Sequence, residues 1–158
     1  MPPLVDLTGM SDEEAFEHGW DLYQKNFLNQ SGRRGELITH DGCPVIFWDN
    51  RYDHAFRTSS DRRRRPYDKD VVARTRILRI HWIAKLLACD EEGIVCKEMS
   101  PPDRWQRAYY SLEHGHIIWL EPSGKSNVKP TAWRFSTSFN LPVAEIKRTT
   151  QRGIFLKK

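Results

Sequence analysis

The pattern of apolar and polar positions divides the chain in two. In the first half apolar residues recur at helical intervals, whereas from residue 93 onward they come in short runs separated by turns. Ser11-Asp12-Glu13-Glu14 has the form of a capping box, a serine followed three residues later by a glutamate. Ala15, Phe16, Trp20, Tyr23 and Phe27 follow on one helical stripe, which predicts a helix over 12–28. Residues 29–36 have loop composition. Leu37-Ile38-Thr39-His40 and Cys43-Pro44-Val45-Ile46-Phe47 flank Asp41-Gly42, a hairpin signal. Pro44 lacks a backbone donor, which assigns the second run to an edge strand. Residues 49–57 predict a short helix capped by Asp49 or Asn50. Arg62 to Arg65, ahead of Pro66, form a loop. Asp70 then caps a helix through Ala88, with Val72, Ile80, Trp82, Ile83, Leu86 and Leu87 as its apolar positions.

The second half predicts strands at Gly93–Cys96, Arg107–Leu112, Ile117–Leu120 and Trp133–Phe139. Links as short as Glu113-His114-Gly115 imply an antiparallel meander. The expected fold is α+β: N-terminal helices packed on a four-stranded antiparallel β-sheet meander. With 158 residues and no internal repeat, one domain is expected over 1–158. Within it, residues 1–40 form a helical arm and residues 41–158 a core.

Charge separates the same two parts. Residues 1–40 hold three Lys/Arg against seven Asp/Glu, a balance of −4. Residues 51–80 hold ten against four (+6), and residues 81–158 hold twelve against eight (+4). An acidic arm on a basic body points to a polyanionic partner, with nucleic acid the first candidate. No apolar run reaches the length of a membrane span, and the first residues do not read as a secretory signal. Cys43, Cys89 and Cys96 make no even disulfide framework, which suits a reducing, cytoplasmic setting. His114-x-His116 lies in a turn without paired carboxylates, so no metal site is expected. Neither a phosphate loop nor a nucleophile elbow is present.

Three groups of residues remain that can do chemistry. His54 and Arg57 share a helical face at i, i+3, and a histidine moves protons near neutral pH while an arginine forks onto phosphate. Arg76 and Arg79, in Arg74-x-Arg76-x-x-Arg79, share another. The last strand, by strict alternation, sets Trp133, Phe135, Thr137 and Phe139 on one side and Arg134, Ser136 and Ser138 on the other. One histidine, several arginines and a hydroxyl-rich strand suffice to cleave RNA without a metal or cofactor. The 2′-OH attacks the adjacent phosphate, a general base and acid move the protons, and cations and hydroxyls stabilise the phosphorane.

These residues resemble the barnase–EndoU–colicin–RelE superfamily of metal-independent ribonucleases, above all its phage and mobile-element toxin-like branch. The likeness rests on His54 in its helix, Arg76-Ile77-Leu78-Arg79-Ile80-His81-Trp82-Ile83, Tyr109-Tyr110, and Phe135-Ser136-Thr137-Ser138-Phe139-Asn140-Leu141-Pro142, and spans about residues 45–142. It implies helices ahead of a four-stranded antiparallel sheet. It also implies His54 as general acid or base, Arg57 and Arg76 as catalytic phosphate ligands and Thr137 as the active hydroxyl. Arg79, Arg107, Tyr109, Arg134, Ser136 and Ser138 would contact RNA. Strict alternation places Thr137 among the aromatics, which leaves Ser136 and Ser138 as alternative exposed hydroxyls. A cognate inhibitor or immunity protein is the second implied partner. Two rival readings are a non-catalytic nucleic-acid-binding module of a mobile element and a protein-interaction domain docking through its acidic helix.

Overall fold

The computed structural model describes residues 1–59, 69–125 and 127–158. The expected loop run Arg62 to Arg65 lies outside the described residues. In chain order the elements are α1 (Asp12–Phe27), β1 (Arg34–Ile38), β2 (Pro44–Trp48), α2 (Arg51–Ala55), β3 (Arg57–Thr58), β4 (Val71–Val72), α3 (Arg74–Ile77), α4 (Trp82–Ala88), β5 (Ile94–Met99), β6 (Gln106–Ser111), β7 (His116–Pro122), β8 (Trp133–Asn140), α5 (Val143–Thr150) and β9 (Ile154–Lys157).

The molecule is α+β, but its sheet is not the expected four-stranded antiparallel meander. Strands β5 to β8 do run as a meander, yet they form only the middle of a seven-stranded mixed sheet ordered β1-β2-β8-β7-β6-β5-β9. The hairpin β1–β2 docks with β2 parallel to β8, through Val45 opposite Trp133 and Ile46 opposite Arg134. Pro44 therefore does not mark an edge strand. It is the first residue of an inner strand, a position that needs no donor. At the far side β9 pairs antiparallel with β5. A separate two-stranded sheet joins β3 to β4.

Two layers of helix cover the sheet. On one face α1 to α4 bury Tyr23, Phe27, Tyr52, Phe56, Ile77 and Ile83 against Phe47, Tyr109, Ile118, Leu120, Trp133 and Phe135. On the other, α5 seats Ile146 on Met99, Ala108, Tyr110 and Ile117. Helix α1 begins at the predicted capping box: the Ser11 hydroxyl accepts from the Glu14 N–H, and the Glu14 carboxylate accepts from the Ser11 N–H. Gly19 lets α1 approach α2 and α3, because a Cβ there would lie 2.4 Å from the Tyr52 hydroxyl oxygen and 2.9 Å from Ile77 Cγ2.

The helix expected over 70–88 is broken. Val71 and Val72, β-branched and suited to a strand, pair with Thr58 and Arg57 instead. Helix α3 then tightens, with the N–H groups of Arg79, Ile80 and Trp82 each bonding a carbonyl three residues back. This change of pitch lets Ile77, Ile80, Ile83, Leu86 and Leu87 all reach the core. Among the described residues, no helix is long and apolar enough to cross a membrane.

Candidate functional site

The site forms where the sheet splits. Strand β2 leaves β8 after two paired residues and turns into α2, and the Tyr23 hydroxyl donates to the Trp48 carbonyl (2.8 Å) at the departure point. Past Phe135, the side of β8 that β2 has left faces α2 and α3 instead of a strand. Arg51 occupies the exposed edge, donating through Nε to the Ser136 carbonyl (2.6 Å) and through Nη2 to the Ser136 hydroxyl (2.9 Å). The result is a cleft of about 850 Å³.

The cleft brings together four residues singled out in the sequence: His54, Arg76, Ser136 and Thr137. Arg51, Lys69, Arg74 and Glu121 join them, as does Asp12 from the start of α1. Arg76 spans the cleft wall. Its Nη1 donates to the Ala55 carbonyl (2.8 Å), and its guanidinium lies 5.1 Å from the centre of the Phe139 ring. Arg74 is committed to the N-terminal arm, donating to the carbonyls of Met10 (2.9 Å) and Leu7 (3.1 Å) and pairing with Asp12 (3.2 Å). Arg51, Lys69 and Arg76 also line the cleft, together with Glu121.

His54 is exposed, and its ring makes no hydrogen bond to another described residue. Partial burial and the charges of Arg51, Lys69 and Arg76 hold its pKa below the ordinary histidine value, while Glu121 pulls the other way. The imidazole is therefore neutral at neutral pH, the form that accepts a proton.

Strand β8 does not alternate strictly. Leu120 pairs with Phe135 but Trp119 pairs with Thr137, so Ser136 is an extra residue in a β-bulge. Trp133 and Phe135 face the α1–α4 layer. Beyond the bulge the faces exchange: Thr137 and Phe139 turn to the cleft side, and Ser138 turns inward. The expected grouping of Trp133, Phe135, Thr137 and Phe139 on one side is corrected accordingly. Thr137 and Ser136 are the hydroxyl residues that β8 contributes to the cleft lining. Ser138 is buried, with its hydroxyl 2.7 Å from His116 Nε2, and does not line the cleft.

Other expected contacts lie elsewhere. Arg57 pairs with Asp53 (3.1 Å) and stacks 4.0 Å from the Phe16 ring centre, against α1. Arg79 lies over Trp82 and donates to the Thr75 carbonyl. Arg107 is buried, with its guanidinium on Asp41 (2.7 and 2.9 Å) and Glu98 (3.0 Å). Tyr109 is fully buried beside it, 3.0 Å from His40 Nδ1. Neither can touch RNA: together they anchor the β1–β2 turn to the sheet. Burial alone would raise the Asp41 pKa, but bonds from Arg107 and Thr39 hold it well below the carboxylate range. Arg134 is exposed and bonded to Glu121 (2.9 Å), which lines the cleft, but does not line it itself.

Arg51, Lys69 and Glu121 were not anticipated. Arg51 had a signal, since it precedes His54 by three residues on the same helix. Glu121 had none, because it enters the site only through the pairing of β7 with β8. Among the described residues, no group of three or more His, Cys, Asp and Glu is arranged to hold a metal ion. Comparison with family models, with curated proteins and with solved structures finds no match for this chain.

Proposed function

We propose that this chain is a toxin-like endoribonuclease that cleaves RNA by 2′-OH transesterification without a metal, in the manner of the barnase–EndoU–colicin–RelE superfamily. The observation that carries the reading is the convergence of His54, Arg76 and Thr137, distant in sequence, in one cationic cleft. In this mechanism neutral His54 takes the proton of the 2′-OH as its oxygen bonds to phosphorus. The P–O5′ bond breaks, and the imidazolium returns the proton to the departing 5′-oxygen. The Glu121 charge favours the imidazolium in between. Arg51, Lys69 and Arg76 meet the phosphorane oxygens, and Thr137 supplies a hydroxyl donor.

The chemistry fixes its products: one strand ending in a 2′,3′-cyclic phosphate and one beginning with a 5′-OH. An RNA oligomer digested in EDTA and resolved by mass spectrometry should give those ends, and its all-deoxy counterpart should stay intact. Cleaved DNA, or a 3′-OH product, would remove the mechanism. If the wild-type chain binds RNA and never cuts it, the protein is instead a non-catalytic binding module.

A further inference from the structure

A second basic hollow lies on the face of the sheet that α5 covers, the face from which Thr137 and Phe139 of the cleft also project. It measures about 270 Å³ and is bordered by Arg104, Arg148 and Arg152, with Met99 and Gln106 beneath. One carboxylate, Asp103, also borders it and pairs with Arg152 (2.8 Å), while Arg148 pairs with Glu145 (2.7 Å). Arg148 and Arg152 are about two-thirds exposed or more, at 66% and 71%. Exposed pairs of this kind contribute little, so a phosphate can take their place.

The sheet register connects hollow to cleft. Directly paired residues project from the same face. Ala108 pairs with Trp119, and Trp119 with Thr137, so these three form a row across β6, β7 and β8. Thr137 is in the cleft, and Ala108 is covered by the α5 layer. Gln106, two residues before Ala108 on β6, faces the same way and lies at the hollow. Trp119 stands between the two sites. It is half-buried, and among the described residues no aromatic ring packs on it. From β8 to β5 is three strand spacings, about 14 Å, a distance that a few nucleotides of extended strand can span.

We propose that this face is a binding track for single-stranded RNA, with a base stacked on Trp119 and a further backbone phosphate held by Arg104, Arg148 and Arg152. The track rests on the reading of the cleft as an RNA site and extends it to a substrate class. A flat indole face stacks an unpaired base, whereas a duplex keeps its bases stacked inside and offers mainly backbone and groove. The cations then follow the strand from the cleft to the hollow. Glu121, two residues beyond Trp119 on β7, pairs with Arg134.

The test uses fluorescein-labelled RNA blocked at every 2′ position, as a dinucleotide and as an octanucleotide, with affinity read by anisotropy. Wild-type chain should bind the octanucleotide at least tenfold more tightly than the dinucleotide. Trp119→Leu, which keeps an apolar side chain but no ring, should reduce that gain by roughly tenfold, the scale of one stacked base. The triple change Arg104→Gln, Arg148→Gln and Arg152→Gln alters only surface positions and so avoids the question of folding. It should weaken octanucleotide binding and flatten the plot of log affinity against log salt by about 0.7 for each phosphate no longer neutralised. An unchanged slope and affinity in the triple variant would overturn the track and leave the cleft standing. No gain with length in the wild type would do the same. Failure of the wild type to bind either oligomer would overturn both.

Discussion

At the scale of single residues, the chemistry is decided by which polar groups a neighbour has already taken. Thr137 and Ser138 are adjacent in sequence and opposite in role, because the Ser136 bulge sends one to the cleft and the other to His116. Thr137→Ala should lower RNA cleavage roughly tenfold or more with an unchanged melting temperature, since only a transition-state donor is lost. Ser138→Ala should instead cost about 1–3 kcal/mol of stability by leaving His116 Nε2 buried and unpartnered, as chemical denaturation would report. His116 adds a pH dependence. Burial, and then the Arg79 charge, push its pKa from 6.5 down to about 4. Between those values the unfolded chain carries a proton that the fold does not. Stability is therefore full above pH 6.5 and falls as pH drops toward 4, by up to about 3 kcal/mol from this residue. In His116→Gln the slope over that window should be shallower than in the wild type, and an equal slope would assign the effect to other groups. Arg107 shows what the sequence concealed at this scale. On its strand it reads as a surface cation, and only the partners Asp41, from the β1–β2 turn, and Glu98, from β5, make it a buried ion-pair centre.

At the scale of elements, local chemistry predicted starts and turns better than continuity. The Ser11 capping box and the turn at Asp41-Gly42 are short-range devices, and both appear where the residues indicated. The break between α3 and α4 and the β8 bulge are not short-range devices. The first is set by five apolar side chains seeking one core, the second by register against β7. Helix α5 offers a single fully buried apolar residue, Ile146, too weak a stripe to recognise from periodicity. Helix α2 is only five residues long and is held from two sides, by Arg51 on Ser136 of β8 and by Tyr52 on α1. The Tyr52 hydroxyl donates to the Phe16 carbonyl (2.6 Å) over the space that Gly19 leaves. Gly19→Ala should push Tyr52 and Ile77 away, at a cost of about 1–3 kcal/mol. Because Arg51 and His54 flank Tyr52 on α2, cleavage should fall together with the melting temperature. An alanine variant as stable and active as the wild type would show that this close approach does not set the site.

At the scale of the whole molecule, the cleft is a consequence of topology. The α+β mixture and the antiparallel run of β5 to β8 were legible; the strands β3 and β4 in the first half, and helix α5 and strand β9 in the second, were not. The parallel docking of β2 on β8 was not, because the two strands are separated by most of the chain and pair through only two residues. That brief pairing opens the sheet beside Ser136 and lets α2 and α3 carry His54 and Arg76 to the gap. The acidic arm also has a defined place, with Asp12 holding Arg74 at the cleft border. If this gap cleaves RNA with His54 as its proton carrier, removing the imidazole must slow the chemistry and spare the fold. The direct measurement is the first-order rate of RNA cleavage in EDTA by the wild-type chain and by His54→Ala, each shown by circular dichroism to be folded. The wild type should cut, and His54→Ala should be slower by roughly 10²–10⁴-fold with its melting temperature little changed. Equal rates for the two proteins would contradict the assignment of His54.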